Sequence, residues 1–202
     1  MRIVVLTPSL PERGELLAEA VASVRMQTVR PAMHAIAIDF ENVGIGALLN
    51  RLARSADVDW LARLDDDDLL QPNHLEALST KAEDADVVYS WCEVAPRVVN
   101  GVLPDPPAVL GQTGWRPNQR FDEARLRAGN YIPATTLVRR TLWAELGGWR
   151  EDGWRFGGER DDPALTEDWD FWLRALDAGA RFVCVPEVTW IYRYHGNNLW
   201  LR

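Results

Sequence analysis

Short apolar runs alternate with longer amphipathic segments over the first half of the chain. The runs are rich in β-branched residues, and they predict buried strands at residues 2–6, 34–38, 60–64 and 86–94. In the segments between them, apolar residues recur at helical spacing, which predicts helices at residues 15–27, 47–54 and 72–83. This alternation indicates an α/β fold with a Rossmann-like, mostly parallel central sheet and helices on both faces.

The pattern changes in the second half, where residues 96–119 are rich in proline and glycine and lack periodicity. Long irregular segments in compact domains are often functional. Beyond this segment the pattern predicts helices near residues 122–128 and 140–146 and strands at residues 131–138, 181–185 and 188–194. We interpret a second irregular segment, residues 149–163, as a mobile lid, because it mixes glycine, tryptophan and charge.

A further helix is predicted to begin at Thr166, which is a good N-cap. Its apolar face consists of Trp169, Trp172, Leu173 and Leu176. Glu167 and Asp168 lie at the positive end of the helix dipole, which such acids generally stabilise. The alternative is that one of them is a general base, which must lie within hydrogen-bond reach of the hydroxyl that it deprotonates. The residues alone leave both interpretations open.

Composition indicates an ordinary globular domain: 202 residues with an apolar fraction of 47% and a charged fraction of 26%. The net charge of −8 argues against a broad nucleic-acid-binding surface. Cys92 and Cys184 lie far apart in strand-like contexts, and we expect free thiols in a reducing compartment. No apolar run is long enough to span a membrane and no signal peptide opens the chain, so we expect a soluble cytoplasmic protein.

Four consecutive aspartates, Asp65, Asp66, Asp67 and Asp68, follow the third predicted strand. Pro72 suits the first turn of the next helix, so these acids fall where a strand ends and the chain turns. In an α/β sheet this carboxyl end is where ligands bind. Neighbouring like charges resist burial, and a divalent cation such as Mg²⁺ or Mn²⁺, which prefers hard oxygen ligands, would relieve their repulsion. A solvated acidic turn explains the same residues equally well.

Other motifs narrow the classes of function. No G-x-G-x-x-G opens a helix and no G-x-x-x-x-G-K-[ST] loop is present, which argues against a dinucleotide-binding or P-loop protein. His195 is open to three interpretations: a metal ligand, a hydrogen-bond donor to a pyrophosphate, or a surface histidine.

Five short motifs occur in order along the chain: residues 4–9 (VVLTPS), 35–39 (AIAID), 64–70 (LDDDDLL), 166–169 (TEDW) and 192–198 (YRYHGNN). Taken together they resemble the family 2 glycosyltransferases, whose fold is GT-A. The resemblance spans nearly the whole chain. Each motif is unspecific alone, and the order and spacing of the set make it specific.

The resemblance implies roles for the matched residues. The residues it places against a nucleotide-sugar donor are Thr7, Pro8, Ser9, Asp39, Asp65, Asp66, Glu167, Arg193 and His195. The first loop departs from the family pattern, because it has residues 9–11 (SLP) in place of the usual Tyr-Asn, and we expect Arg13 to take over a donor-side role there. Asp67 is implied to ligate Mn²⁺ or Mg²⁺, with Asp65 and His195 as further candidate ligands and Asp68 in the structural turn. Asp168 is implied to be the general base, and Asp39 matches the acid that typically contacts the nucleobase.

The activity implied by the resemblance is a metal-dependent, inverting transfer of one sugar from a nucleotide-diphospho-sugar, with UDP-sugar as the family default, to an acceptor hydroxyl. A glycan, a lipid-linked sugar, a protein and modified DNA are all open as acceptors, and the acidic balance disfavours a nucleic acid. A basic stretch near the predicted acceptor segments consists of Arg116, Arg120, Arg125 and Arg127. We interpret this stretch as a solvated helix face.

The sequence also departs from the family pattern. Residues 40–42 (FEN) follow Asp39 where the family often has a second acid and Gly-Ser, which leaves base recognition open. The Gln-x-x-Arg-Trp signature of processive synthases is absent, so a polymer synthase is not expected. We expect a single GT-A domain over residues 1–202, with a donor half up to about residue 95 and an acceptor and catalytic half beyond it. The acceptor site would come from residues 96–119 and 149–163.

Two other functions fit an α/β sheet with an acidic site. A sugar-nucleotide pyrophosphorylase or other nucleotidyltransferase usually needs an early glycine-rich loop with a basic residue, and residues 7–14 supply only Arg13. A non-catalytic module that binds a nucleotide or a glycan would explain the departures at Phe40 and in the first loop, but the presence of Asp67 and Asp168 argues against it.

Overall fold

The computed structural model describes residues 1–97, 118–151 and 166–195. The strands are β1 (Ile3–Ser9), β2 (Met33–Ile38), β3 (Trp60–Arg63), β4 (Leu69–Leu70), β5 (Val87–Pro96), β6 (Thr136–Arg139) and β7 (Phe182–Tyr194). The α-helices are α1 (Gly14–Arg25), α2 (Ile45–Arg54), α3 (His74–Ser79), α4 (Glu123–Ala128), α5 (Arg140–Glu145) and α6 (Glu167–Asp177). Short 3₁₀ turns occur at Pro11–Arg13 and Ala82–Asp84.

The strands of the described part form one seven-stranded sheet in the order β2-β1-β3-β6-β5-β7-β4. Strands β1, β2 and β3 are mutually parallel, and β6 runs against both β3 and β5. Since β7 is parallel to β5, the five strands β1, β2, β3, β5 and β7 point the same way, and only β4 and β6 oppose them. The predicted mostly parallel sheet is therefore confirmed.

Alternate residues of each strand pack into two separate cores, one on each face of the sheet. Val4 and Leu6 of β1 face a core that includes residues of α2, α4, α5 and α6, whereas Ile3 and Val5 face a core built with α1 and α3. The predicted placement of helices on both faces is thus confirmed. The first core holds an aromatic cluster of Trp143, Trp149, Phe171, Trp172 and Phe182, so these tryptophans serve packing.

Four predicted elements differ clearly from the observed ones. The helix predicted at residues 72–83 is the shorter α3 followed by a 3₁₀ turn, and the strand predicted at residues 131–138 is limited to β6. The two strands predicted at 181–185 and 188–194 are one strand, because β7 stays paired with β5 through register shifts between Ser90 and Cys92. Pro186 lacks an N–H group, so an irregularity at this point of the ladder costs no backbone donor there.

Leu69 and Leu70 form β4, which the sequence did not predict, and they pair with Ile191 and Trp190 of β7. This pairing holds the acidic turn between β3 and β4 against the end of β7. Within the three described ranges, no helix combines the length and the apolar composition needed to cross a bilayer. Cys92 and Cys184 are free, as predicted. Most of both predicted acceptor segments, together with Arg116, lies outside the described residues.

Candidate functional site

The acidic turn lies at the carboxyl edge of the parallel strands, as predicted. It directly follows β3, whose neighbour β1 ends at Ser9, and the backbone N–H of Asp68 donates to the Asp65 carbonyl at 3.2 Å to close the turn. The ends of β1, β3 and β7 thus bring residues far apart in sequence to one place.

Asp66 and Asp67 both bind the guanidinium group of one arginine in the first loop. Arg13, in the 3₁₀ turn after β1, donates through Nη1 to Asp66 Oδ1 at 2.8 Å and to Asp67 Oδ2 at 3.1 Å. Ser9 Oγ donates to the other Asp66 oxygen at 2.6 Å, and His195 Nε2 lies 3.2 Å from Asp67 Oδ2. The predicted donor-side residues Ser9, Arg13 and His195 therefore all meet the acidic turn.

The pKa values of these two neighbouring aspartates are shifted in opposite directions. Burial and the charge of Asp67 raise the pKa of Asp66 to about 6, even though Arg13 and Ser9 oppose the shift. Burial also opposes the ionisation of Asp67, but the hydrogen bond and charge of His195 and the charge of Arg13 outweigh it and lower the Asp67 pKa. Asp67 is therefore the carboxylate of this pair that stays ionised to the lower pH.

Asp68 is tied to the end of β7. Its Oδ1 accepts from the backbone N–H of Arg193 at 3.0 Å, while burial and the charges of Asp67 and Asp65 raise its pKa well above the usual range. Arg193 Nε donates to the Asp67 carbonyl, and Arg193 Nη1 donates to Glu19 of α1. Asp68 therefore stabilises the turn, which fits the structural role that the resemblance implied for it.

Asp65 is held by Arg63, the last residue of β3. Arg63 donates through Nε and Nη2 to the two oxygens of Asp65 at 2.7 and 3.1 Å, and through Nη1 to Glu167 Oε1 at 2.7 Å. Sequence reasoning treated Arg63 as part of an apolar strand and missed it. The available signal was a charged side chain inside a buried run, since a buried charge needs a partner.

The acidic turn has the chemistry of a divalent cation site. Asp65, Asp67 and Asp68 each offer one carboxylate oxygen, and these oxygens lie within 4.8 Å of one another. Hard oxygen donors suit Mg²⁺ or Mn²⁺. Burial and the charges of neighbouring aspartates raise the pKa of Asp66 and Asp68, and a bound cation would favour their ionised forms. The residues present therefore fit such a cation.

The predicted base, Asp168, lies in the first turn of α6 beside Glu167. Its Oδ2 accepts from Asn130 Nδ2 at 3.1 Å, and its Oδ1 accepts from the hydroxyl of Thr166 and from the backbone N–H of Trp169, the latter at 2.8 Å. Thr166 caps the helix as predicted, since its hydroxyl also accepts from Trp169 N. Sequence reasoning missed Asn130, because nothing in its local sequence places it near residue 168.

Glu167 is buried next to this residue. Burial raises its pKa, and the charge of Asp168 adds to the effect, although Arg63 opposes both. The Arg63 contact joins the first turn of α6 to the acidic turn.

Among the described hydrogen bonds, three predicted donor-side residues have none to the acidic turn. Thr7 and Pro8 are buried within β1, and the Thr7 hydroxyl is hydrogen-bonded to His34 Nε2 at 2.9 Å. The carboxylate of Asp39 accepts from the backbone N–H groups of Val43 and Gly44, both at 2.9 Å, so it holds the loop that leads into α2.

Comparison with known proteins places this geometry in context. A family model described as glycosyltransferase like family 2 matches residues 3–202. The protein named uncharacterized glycosyltransferase YwdF, from Bacillus subtilis (strain 168), is 27% identical over 179 residues, which cover 87% of this chain and 61% of YwdF.

Solved structures of S. aureus TarS residues 1–349 resemble this chain in fold. The complex with UDP-GlcNAc has a TM-score of 0.67 at 13% identity and covers 99% of this chain and 60% of that one. The complex with UDP has a TM-score of 0.64 at 13% identity, covering 97% and 61%. The likeness confirms the predicted GT-A fold. This chain spans about three fifths of the length of these relatives.

Proposed function

This chain belongs to the glycosyltransferase-like family 2, and from that premise we propose that it transfers a single sugar from a nucleotide-diphospho-sugar to an acceptor hydroxyl with inversion. The observation that carries the proposal is the acidic turn at the carboxyl edge of the sheet, where Asp65, Asp67 and Asp68 present three oxygens to one point. Ligands of α/β sheets bind at this edge.

The donor side of the proposed site is the acidic turn with its basic neighbours. Asp67 and Asp65 would hold Mn²⁺ or Mg²⁺, which neutralises charge on the departing diphosphate when bound. Arg13, Arg193 and His195 border the turn and would bind the diphosphate oxygens, with Ser9 and Asp66 beside them. The TarS complexes with UDP-GlcNAc and UDP support a UDP-sugar as donor.

The acceptor side would use Asp168 as general base. Its carboxylate is fixed by Asn130, Thr166 and Trp169, and such fixation reduces the cost of reaching a productive geometry. The acceptor hydroxyl gives its proton to Asp168 as its oxygen bonds to the anomeric carbon. The bond from that carbon to the diphosphate breaks on the opposite face, so the configuration inverts and no covalent enzyme intermediate forms.

The two halves of the chain supply different residues to the proposed site. Residues up to about 95 supply the acidic turn and its basic partners, whereas the remainder supplies Asn130, Asp168 and, at the end of β7, the donor-side residues Arg193 and His195. We propose one GT-A domain for the whole chain, since strands from both halves form a single sheet and the core that contains α2 also contains α4, α5 and α6.

The test is turnover or slow hydrolysis of a panel of UDP-sugars, with Mn²⁺, with Mg²⁺ and with EDTA. We expect release of UDP that depends on the metal, and we expect Asp67→Ala to abolish both turnover and Mn²⁺ binding. Asp57→Ala is the matched control, because Asp57 carries the same charge on a fully exposed side chain. Metal-independent turnover, or full activity of Asp67→Ala, would contradict the proposal, and donor binding without any product would indicate a binding module.

A further inference from the structure

Arg63 is a charged residue at a position where a strand of the core would ordinarily be apolar. The other residues of β3, Trp60, Leu61 and Ala62, are all buried in the two cores. The Arg63 side chain is only 5% exposed. Burying a charge is unfavourable unless it is paired and hydrogen-bonded, so this arginine is stable in the core only together with its partners.

The two partners of Arg63 belong to the two halves of the proposed site. Asp65 lies in the acidic turn, two positions along the chain, and Glu167 lies 104 positions away at the start of α6. Burial disfavours the charged guanidinium, but the carboxylates of Asp65 and Glu167 outweigh it and raise the pKa of Arg63, so the bridge stays charged.

The shape of the guanidinium group fixes the relative position of these partners. Nε and Nη2 take the two oxygens of Asp65 side-on, and Nη1 takes Glu167. A planar fork with donors in fixed directions sets both distances and angles, whereas the single ammonium group of lysine cannot replace it. Asp168 follows Glu167 directly, so the same bridge determines where the proposed base stands relative to the acidic turn.

We propose that Arg63 is a positioning residue: it holds the Asp65 carboxylate in place for the divalent cation and sets the first turn of α6 against the acidic turn. The inference rests on the proposed function for its kinetic consequence. Its consequence for metal binding is independent of turnover, because Asp65 belongs to the carboxylate group that fits the cation.

The experiment compares Arg63→Lys with Arg139→Lys. Arg139 is a matched control because it also bonds through several nitrogens, to Asp86 at 3.0 Å and to the carbonyls of Ala82 and Ala85, but its position pairs with Trp60 at the far end of β3. Mn²⁺ affinity is measured by calorimetry without donor, and kcat and KM are measured with the best UDP-sugar.

We expect Arg63→Lys to weaken Mn²⁺ binding and to lower kcat by roughly 10–100-fold each, the usual effect of removing a partner of a metal ligand. Arg139→Lys is expected to leave both values unchanged at a temperature where both variants are folded. Equal losses of Mn²⁺ affinity and of kcat in both variants would indicate general destabilisation and overturn the proposal. Unchanged Mn²⁺ affinity in Arg63→Lys would also overturn it, and so would a wild type that does not bind Mn²⁺.

A second measurement separates positioning from simple loss of charge. Glu167→Gln leaves every carboxylate of the acidic turn intact, yet we expect it to weaken Mn²⁺ binding through Arg63. In the Arg63→Lys background, we expect Glu167→Gln to weaken Mn²⁺ binding less than it does in the wild type. Strictly additive effects of the two substitutions on the Mn²⁺ binding free energy would show that Arg63 does not link Glu167 to the acidic turn. A wild type that binds Mn²⁺ but turns over no sugar nucleotide would refute the proposed function, while the Mn²⁺ measurements would still decide the role of Arg63.

Discussion

Identical side chains in the acidic turn differ in pKa because their neighbours differ. Asp67 contacts Arg13 and His195, which lower its pKa. Among its described hydrogen bonds, Asp68 accepts only one from a backbone N–H, and burial raises its pKa. The sequence, four equal letters, could not distinguish them. The difference matters for function, because a carboxylate that is already ionised binds a cation without first losing a proton.

Asp168 allows the sharpest chemical prediction at this scale. Asparagine preserves the shape of the side chain but cannot accept the proton of an acceptor hydroxyl, so we expect Asp168→Asn to lower kcat by roughly 10²–10⁴-fold. Binding of the nucleotide-sugar, measured by calorimetry, should change little, because the acidic turn is untouched.

The matched control for that change is Asp170→Asn. Asp170 lies in the same first turn of α6 and pairs with Arg174 at 2.8 Å instead of with Asn130. We expect this variant to keep most of its transfer activity. Normal transfer by Asp168→Asn would show that the base has been assigned to the wrong residue.

His74 predicts how stability depends on pH. It is buried, with Nδ1 hydrogen-bonded to Thr189 at 2.8 Å, and burial lowers its pKa to about 3. An unfolded histidine titrates near pH 6.5, so between these values the unfolded chain binds one more proton than the folded chain. The free energy of unfolding therefore falls as the pH drops below about 6.5, by roughly 1.4 kcal/mol per pH unit for this residue.

The measurement is urea unfolding of the wild type and of His74→Asn at about pH 7 and about pH 5. We expect the wild type to lose about 2 kcal/mol more than the variant over this interval, since asparagine does not titrate. Effects of other groups, including His34, are shared by both proteins and cancel. Equal losses would mean that His74 is not held neutral in the fold.

At the scale of elements, sequence patterns located most helices and strands because local signals decide them. Thr166 caps α6 in the predicted way, and the apolar period of α1 matches its buried residues Leu16, Ala20 and Val24. The patterns failed where pairing partners decide. Leu69 and Leu70 form a strand only because β7 lies beside them, and β7 is continuous only because β5 pairs along its whole length.

The turn between α5 and residue 151 shows how such a partner fixes an element. Asn50 of α2 donates to the Trp149 carbonyl and to Glu151, both at 2.8 Å, and its Oδ1 accepts from Trp149 N at 2.9 Å and Trp143 Nε1 at 3.2 Å. All four hydrogen-bonding positions of this amide are used. Asn50 thereby holds the first residues of the second predicted acceptor segment.

Alanine substitutions at Gly147 and Gly148 test how firmly Asn50 holds this turn. Both have positive φ, 77° and 89°, so alanine at either position is expected to cost roughly 1–2 kcal/mol of backbone strain. A Cβ on Gly147 meets nothing within 4 Å, whereas a Cβ on Gly148 would lie 2.4 Å from Asn50 Oδ1. We expect Gly148→Ala to cost roughly 1–3 kcal/mol more than Gly147→Ala in urea unfolding, because Asn50 must give up buried hydrogen bonds. Equal costs would show that Asn50 moves away freely.

At the scale of the molecule, the sequence named most residues of the candidate site but not the contacts that join them. Local patterns identified these residues: the motifs contain Ser9, the acidic turn and Asp168, and the loop after the first motif contains Arg13. The sequence patterns did not identify Arg63, Asn130 or Glu19, because their contacts form only when strands and helices distant in sequence come together. Thr7 and Asp39 matched their motifs, and only the fold reveals that their side chains bond to His34 and to the backbone of residues 43 and 44.

Because the proposed site joins the end of β1, the acidic turn and the end of β7, a ligand bound there should stabilise the whole domain. A ligand at about 100 times its Kd adds about 2.7 kcal/mol to the free energy of unfolding, which for a domain of this size raises Tm by roughly 5–10 °C. We expect a UDP-sugar with Mn²⁺ to produce this shift and the UDP-sugar with EDTA to produce a much smaller one. Asp67→Ala should lose the part of the Tm shift that depends on Mn²⁺, while Asp57→Ala should retain it. Equal Tm shifts with Mn²⁺ and with EDTA would show that donor binding does not involve a metal at the acidic turn.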